Sequence, residues 1–163
     1  MTIEIAEEIP EKMRAISIGE DKSPATLSLS DHDTPRPDTH EILVKIGAAG
    51  VNRGDCYQRM GFYPPPPGAS QVMGLEFAGT VVACGSGVTR WQVGARIAGL
   101  VAGGGYAEYG LLHEDHALEI PENMSFTHAA ALPETIYTVW ANVFELGGLS
   151  AGQTLLIHGG SSG

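Results

Sequence analysis

Thr154-Leu155-Leu156-Ile157-His158-Gly159-Gly160-Ser161-Ser162-Gly163 is the stretch that decides how this chain is read. Thr154–Ile157 is too continuously apolar for a half-wet edge and predicts a parallel strand buried on both faces. It runs straight into a glycine-rich turn. A strand followed by such a turn opens a dinucleotide-binding βα unit, whose helix amino end receives a pyrophosphate. Gly160, Ser161, Ser162 and Gly163 supply half of a G-x-x-G-x-x-G pattern, and the free amides of such a turn suit phosphate. His158, at the end of the strand, either faces the cofactor or caps the strand. The helix that would complete the unit is absent from the 163 residues. The expectation is therefore the front half of a two-domain, cofactor-binding protein.

Working back from that strand, Ile136, Val139, Trp140, Val143 and Phe144 recur at three-to-four spacing, which predicts an amphipathic helix over Ile136–Leu146. Gly147-Gly148 ends it, and Ala129–Leu132 are helix formers before it. Upstream of about residue 125 the texture is β. Glu41–Ala48 reads as a strand with Ile42, Val44 and Ile46 on one side and Leu43 and Lys45 on the other. Met13–Ile18, Leu27–Leu29, Val72–Cys84, Arg96–Val101, Tyr106–Leu112 and Ala117–Ile120 read as further strands. Asp31–His40 reads as a loop, and Pro64–Pro67 as a rigid surface segment. Asn52 predicts the cap of a short helix to Met60, stopped by Gly61. The expected organisation is a loose lead over 1–11, a compact mainly β domain over 12–125, and helices plus the start of a second, α/β domain over 126–163.

Nineteen acidic against nine basic residues give a formal charge of −10, which disfavours a nucleic-acid partner. Two cysteines, no apolar run of spanning length and no targeting pattern at the start predict a reduced, cytoplasmic protein that does not engage membranes.

His113 and His116 lie three apart but at a strand end, and two solvated turn histidines are the expectation there, not a zinc site. Cys56 and Cys84 read as small core or semi-buried side chains. The polar run Asn52-Arg53-Gly54-Asp55 separates a strand from a helix. It either caps the helix or faces a cleft, where Tyr57 would donate a hydrogen bond to a substrate oxygen. Glu76 sits among glycine and apolar positions, so it is expected to be buried and to need a partner, with Arg53 or Arg96 available.

Five segments in order carry a resemblance: Asn52-Arg53-Gly54-Asp55, Tyr63–Ser70, Gly74-Leu75-Glu76-Phe77-Ala78-Gly79, Gly103–Tyr109 and Leu156–Gly163. With them the chain resembles the medium-chain dehydrogenase/reductase superfamily, in its zinc-free quinone oxidoreductase branch, nearest the p53-inducible quinone oxidoreductase-like group. The resemblance implies a GroES-like barrel followed by a Rossmann domain. It also implies NADPH in the cleft between them, hydride transfer to a quinone or an activated enone or alkenal, and a homodimeric or homotetrameric parent. Zinc enzymes of the superfamily carry a cysteine where this chain has Asn52 and a histidine where it has Leu75, so no metal is expected. By position, the resemblance places Asn52 beside the nicotinamide and Tyr57 against substrate or nicotinamide. Thr138 meets the cofactor from the interdomain helix, and His158 and Gly160–Gly163 begin the phosphate loop. The competing expectation for the isolated piece is a non-catalytic GroES-like module.

Overall fold

A computed structural model describes residues 8–20 and 26–159. Alternation along two long strands organises it. Both faces are buried along β4 (Glu76–Cys84) and over Ile42–Val44 of β3 (Glu41–Ala49), whose Lys45 and Gly47 are exposed. Ile42 and Val44 enter one core with Phe77, Val81, Ile97 and Leu112. Leu43 enters a second core with Met13, Val82, Ala83 and Tyr109. Strands apolar on both faces belong at the centre of a sheet. Here they lie in the antiparallel order β6-β3-β4-β5-β7, with β5 Arg96–Leu100, β6 Tyr109–His113 and β7 Ala117–Glu119. The sheet curls into a half-barrel, the shape expected of a GroES-like domain. A hairpin of β1 (Lys12–Ser17) and β2 (Ser28–Asp33) joins it through an Ala15–Ala107 bridge.

Helix α1 (Arg53–Met60) leaves β3 and returns the chain toward β4. Helix α2 (Phe126–Ala129) leads into the third core, where Ala129 and Ala130 meet Ala78, Ala98 and Ile120. These small side chains let the backbone approach the sheet closely. Helix α3 (Pro133–Val139) follows and continues as π-type turns over Trp140–Leu146.

Glu114 holds the sheet's far end. It begins the short 3-10 turn between β6 and β7 and accepts the backbone N–H groups of Thr89 (2.8 Å) and Arg90 (3.0 Å), together with Nδ1–H of His40 (2.9 Å). The Thr89 amide first, then His40 and the Arg90 amide, hold its carboxyl down to about 2.

Several expectations are corrected. Asp31, His32 and Asp33 lie in β2 and not in a loop. The apolar face of the hairpin comes from β1, through Met13 and Ala15, and β2 is its exposed strand, held where Lys12 pairs with Asp33 and Arg14 approaches Asp31. Ile9 packs on the second core, so the lead is not loose throughout, and residues 1–7 lie outside those described. Cys56 is exposed. Thr154–Ile157 forms no strand: Leu155, Leu156 and Ile157 are 47%, 77% and 64% exposed. A parallel strand draws its hydrogen bonds from neighbouring strands, and none is present beside it among the described residues. The helical apolar stripe exists, yet Ile136, Val139, Trp140 and Phe144 remain exposed.

Candidate functional site

The site grows from the head of α1. Asn52 is the N-cap, in extended conformation, and Asp55 reaches back so that its Oδ2 accepts the Asn52 backbone N–H at 2.6 Å. At the other end Gly61, at φ 79°, takes the left-handed turn that stops the helix. Asp55 is buried, and the same oxygen accepts the Tyr106 hydroxyl at 2.8 Å. Burial first, and the Asp55 carboxylate second, push the Tyr106 phenol well above its ordinary value, so it stays a hydrogen-bond donor at any physiological pH. Gln58, also buried, donates to the Ala102 carbonyl and accepts the Gly74 N–H, each at 3.2 Å. One short helix is thus tied by side chains to the loops on both sides.

The side chain of Asn52 turns toward the start of β4. Its Nδ2 donates to Glu76 Oε1 at 2.7 Å. Glu76 is only 2% exposed. Its Oε2 accepts the backbone N–H of Glu134 at 2.9 Å, in the first turn of α3. Donors there have no intrahelical partner, and Leu132 at the N-cap has no oxygen to offer. The Glu134 carboxyl itself is pushed up, by burial and then by the charges of Glu76 and Asp55.

The expected arginine partner for Glu76 is not found. Arg96 donates to the carbonyls of Pro121, Glu122 and Met124 and stacks on Phe126, 4.8 Å from its ring centroid. Arg53 lies exposed. Two neutral N–H donors satisfy the buried carboxylate instead. Gly50 gives it room, since a Cβ there would collide with the Glu76 carboxylate and the Ala130 carbonyl.

Through Glu76 the structure links Asn52 to the start of the helix that carries Thr138. Thr138 is exposed near the end of α3. Tyr57 is 43% exposed on α1, and among the described residues its hydroxyl has no partner. His158 lies in the exposed segment after Ile157. Neither Tyr57 nor His158 has a side-chain hydrogen bond to the Asn52–Glu76 pair, and residues 160–163 lie outside those described. His113 and His116 stand with ring centroids 5.4 Å apart. Among the described residues no three His, Cys, Asp or Glu side chains are grouped as a metal site requires. Sequence reasoning missed the Asp55–Tyr106 pair and the double role of Glu76. One signal for the latter was available: Leu132-Pro133 starts a helix with no Ser, Thr, Asp or Asn at its cap, so an acceptor had to come from elsewhere.

The alcohol dehydrogenase GroES-like domain family matches residues 38–122. Quinone oxidoreductase of Rattus norvegicus is 35% identical over 153 residues, 93% of this chain and 46% of that protein. The chain therefore spans about half the length of the curated relatives it matches. A mycobacterial quinone oxidoreductase structure superposes with TM-score 0.79 at 32% identity, covering 92% of this chain and 46% of that one. The Escherichia coli quinone oxidoreductase, solved in complex with NADPH, gives TM-score 0.66 at 29% identity over 83% of this chain and 40% of that one. A curled β domain, a capped α1 tied by its side chains to the neighbouring loops, and matches of this breadth lead to one assignment: the chain belongs to the alcohol dehydrogenase GroES-like domain family, in the quinone-oxidoreductase-like branch of the medium-chain dehydrogenases/reductases.

Proposed function

We propose that this domain forms the substrate-side wall of an NADPH-dependent reductase that transfers hydride to quinones without zinc. The observation that carries the reading is the Asn52 carboxamide, partly buried, held by a buried carboxylate at 2.7 Å and joined through it to α3. Similarity to quinone oxidoreductases, one of them solved with NADPH, supports it.

The residues present fit part of a nicotinamide cofactor's site. Among the described residues nothing takes the second N–H of the Asn52 amide, and the Thr138 hydroxyl is on an exposed face. The phosphate half of the expected site falls on residues 160–163, outside those described. Bound NADPH supplies the hydride, the chemistry that side chains lack. Asn52 and Thr138 would hold the cofactor's reactive end, and Tyr57 would meet the acceptor. Negative charge would grow on the acceptor's carbonyl oxygen, and N–H or O–H donors from Asn52 and Tyr57 would stabilise it there. The donor chemistry also disfavours a metal: an amide committed to Glu76 and the buried alkyl chain of Leu75 are poor zinc ligands.

The test is loss of NADPH absorbance with 1,4-benzoquinone, using this chain fused to the cofactor-binding half of the rat relative. Turnover with the quinone above that with simple enones and alkenals is expected. A folded chimera that binds NADPH and reduces none of these acceptors overturns the reading.

A further inference from the structure

We propose that Glu76 is a positioning residue of this reaction, fixing from β4 both the amide orientation of Asn52 and the start of α3, so that one carboxylate holds the two walls expected to meet the cofactor. The inference rests on the reductase reading above.

An asparagine amide has an oxygen end and a nitrogen end of nearly equal shape, and only its partners decide which way it points. An ionised carboxylate only accepts. Glu76 Oε1 at 2.7 Å therefore commits the Asn52 nitrogen inward and leaves one N–H for another acceptor. The main chain of Asn52 is held independently by Asp55 at 2.6 Å. Backbone and side chain are thus anchored by two different buried acids, which is more than a helix cap needs.

The second oxygen of Glu76 has its own task. It accepts the Glu134 N–H at 2.9 Å, at the start of a helix whose N-cap, Leu132, has no side-chain acceptor. Capping α3 needs a single acceptor, so the bond to Asn52 is surplus to that role. Gly50 keeps open the space the carboxylate occupies. A shift of Glu76 would move the Asn52 amide and the helix bearing Thr138 together.

Three variants test this: E76Q, N52D and the double variant N52D/E76Q. In E76Q one oxygen and one NH2 face two N–H donors, so Asn52 flips or loses its bond, or it keeps a bond to a neutral amide oxygen while the Glu134 N–H loses its acceptor; each changes the surroundings of the Asn52 amide. In N52D two carboxyl groups are forced together, and melting temperature falls. In the double variant the glutamine donates to the new carboxylate and accepts the Glu134 N–H, so melting temperature recovers. In the 163-residue chain, the side-chain NH2 signal of Asn52 in nitrogen-proton correlation spectra is expected to shift or vanish in E76Q. In the chimera, E76Q is expected to lower kcat by at least about tenfold, short of the ~10²–10³-fold seen when a well-placed donor is removed outright. The double variant should stay slow while stable, because its cleft lacks the amide N–H. Recovery of kcat together with stability in N52D/E76Q makes Glu76 merely structural and overturns the inference, as does an unchanged Asn52 signal in E76Q. Should E76Q alone fail to fold, the double variant carries the same decision. An inactive wild-type chimera instead overturns the reductase reading, and the NH2 signal still decides whether Glu76 orients Asn52.

Discussion

Glu114 and Tyr57 show how differently single side chains can be tested in this domain. Glu114 is buried under two backbone amides and His40, which hold its carboxyl down to about 2, below the ordinary value of 4.5. A depressed folded value means its stabilising contribution is complete above about pH 4.5 and is lost as pH falls through about 2. E114Q is therefore expected to melt well below wild type at pH 7, with the gap closing toward pH 2; melting curves across that range check it, and a gap that widens in acid contradicts it. Tyr57 belongs to the proposed chemistry. If its hydroxyl meets the growing oxyanion, Tyr57→Phe in the chimera lowers kcat more than NADPH affinity. The effect should stay below the about 2.7–4 kcal/mol of a well-placed oxyanion donor, because a quinone spreads charge over a conjugated ring. An unchanged kcat in Tyr57→Phe, with Tyr57→Ala raising KM for quinone, reduces Tyr57 to an apolar wall. Asn52 and Tyr57 were legible as candidates because polar residues between an apolar strand and a helix stand out. The partner of Glu76 was not, because sequence displays cations but not which backbone N–H the fold delivers from 58 residues away.

At the scale of elements, legibility tracked how locally each one is determined. The core strand β3 follows from alternation alone: Ile42 and Val44 pack on one side, while on the other Leu43 is buried and Lys45 exposed. Helix α1 follows from a cap at Asn52 and a stop at Gly61, both local signals. The Gly61 stop predicts that Gly61→Ala costs roughly 1–2 kcal/mol, since an L side chain is disfavoured at φ 79°. Chemical denaturation measures this directly, and a loss under about 0.3 kcal/mol would show that the turn relaxes to another conformation. Elements that depend on partners were read less well. β2 is polar because it lies in an exposed hairpin, so hydrophobicity could not reveal it. Thr154–Ile157 has the composition of a buried strand, but composition does not provide neighbours. The stripe on α3 and its π-type continuation has correct spacing yet meets no core among the described residues.

Across the whole molecule, the parts differ in how completely their surfaces are covered. The sheet holds three cores, whereas the apolar side chains after Pro133 lie largely exposed. No helix among the described residues is long and apolar enough to cross a membrane, so a bilayer-spanning helix does not account for that exposure. The distribution bears on cofactor binding. A pyrophosphate cradle works because a strand fixed in a sheet aims the following turn and helix amino end at one point. Here Leu155, Leu156 and Ile157 are 47%, 77% and 64% exposed and pair with no described strand, so that aim is missing. A formal charge of −10 adds repulsion toward phosphates. The 163-residue chain alone is therefore expected to bind NADPH no tighter than about 1 mM, even where the chimera binds it well. Fluorescence titration of the reduced nicotinamide separates the cases. A micromolar constant for the chain alone, roughly 4 kcal/mol more favourable, would mean that the Asn52 and Thr138 side holds the cofactor without a sheet-held strand at 154–157. The requirement for a sheet-held strand would then be wrong. A weak chain beside a tight chimera places the missing affinity in the added half together with the strand and turn it completes, and leaves Asn52, Thr138 and Glu76 to orient the reacting end.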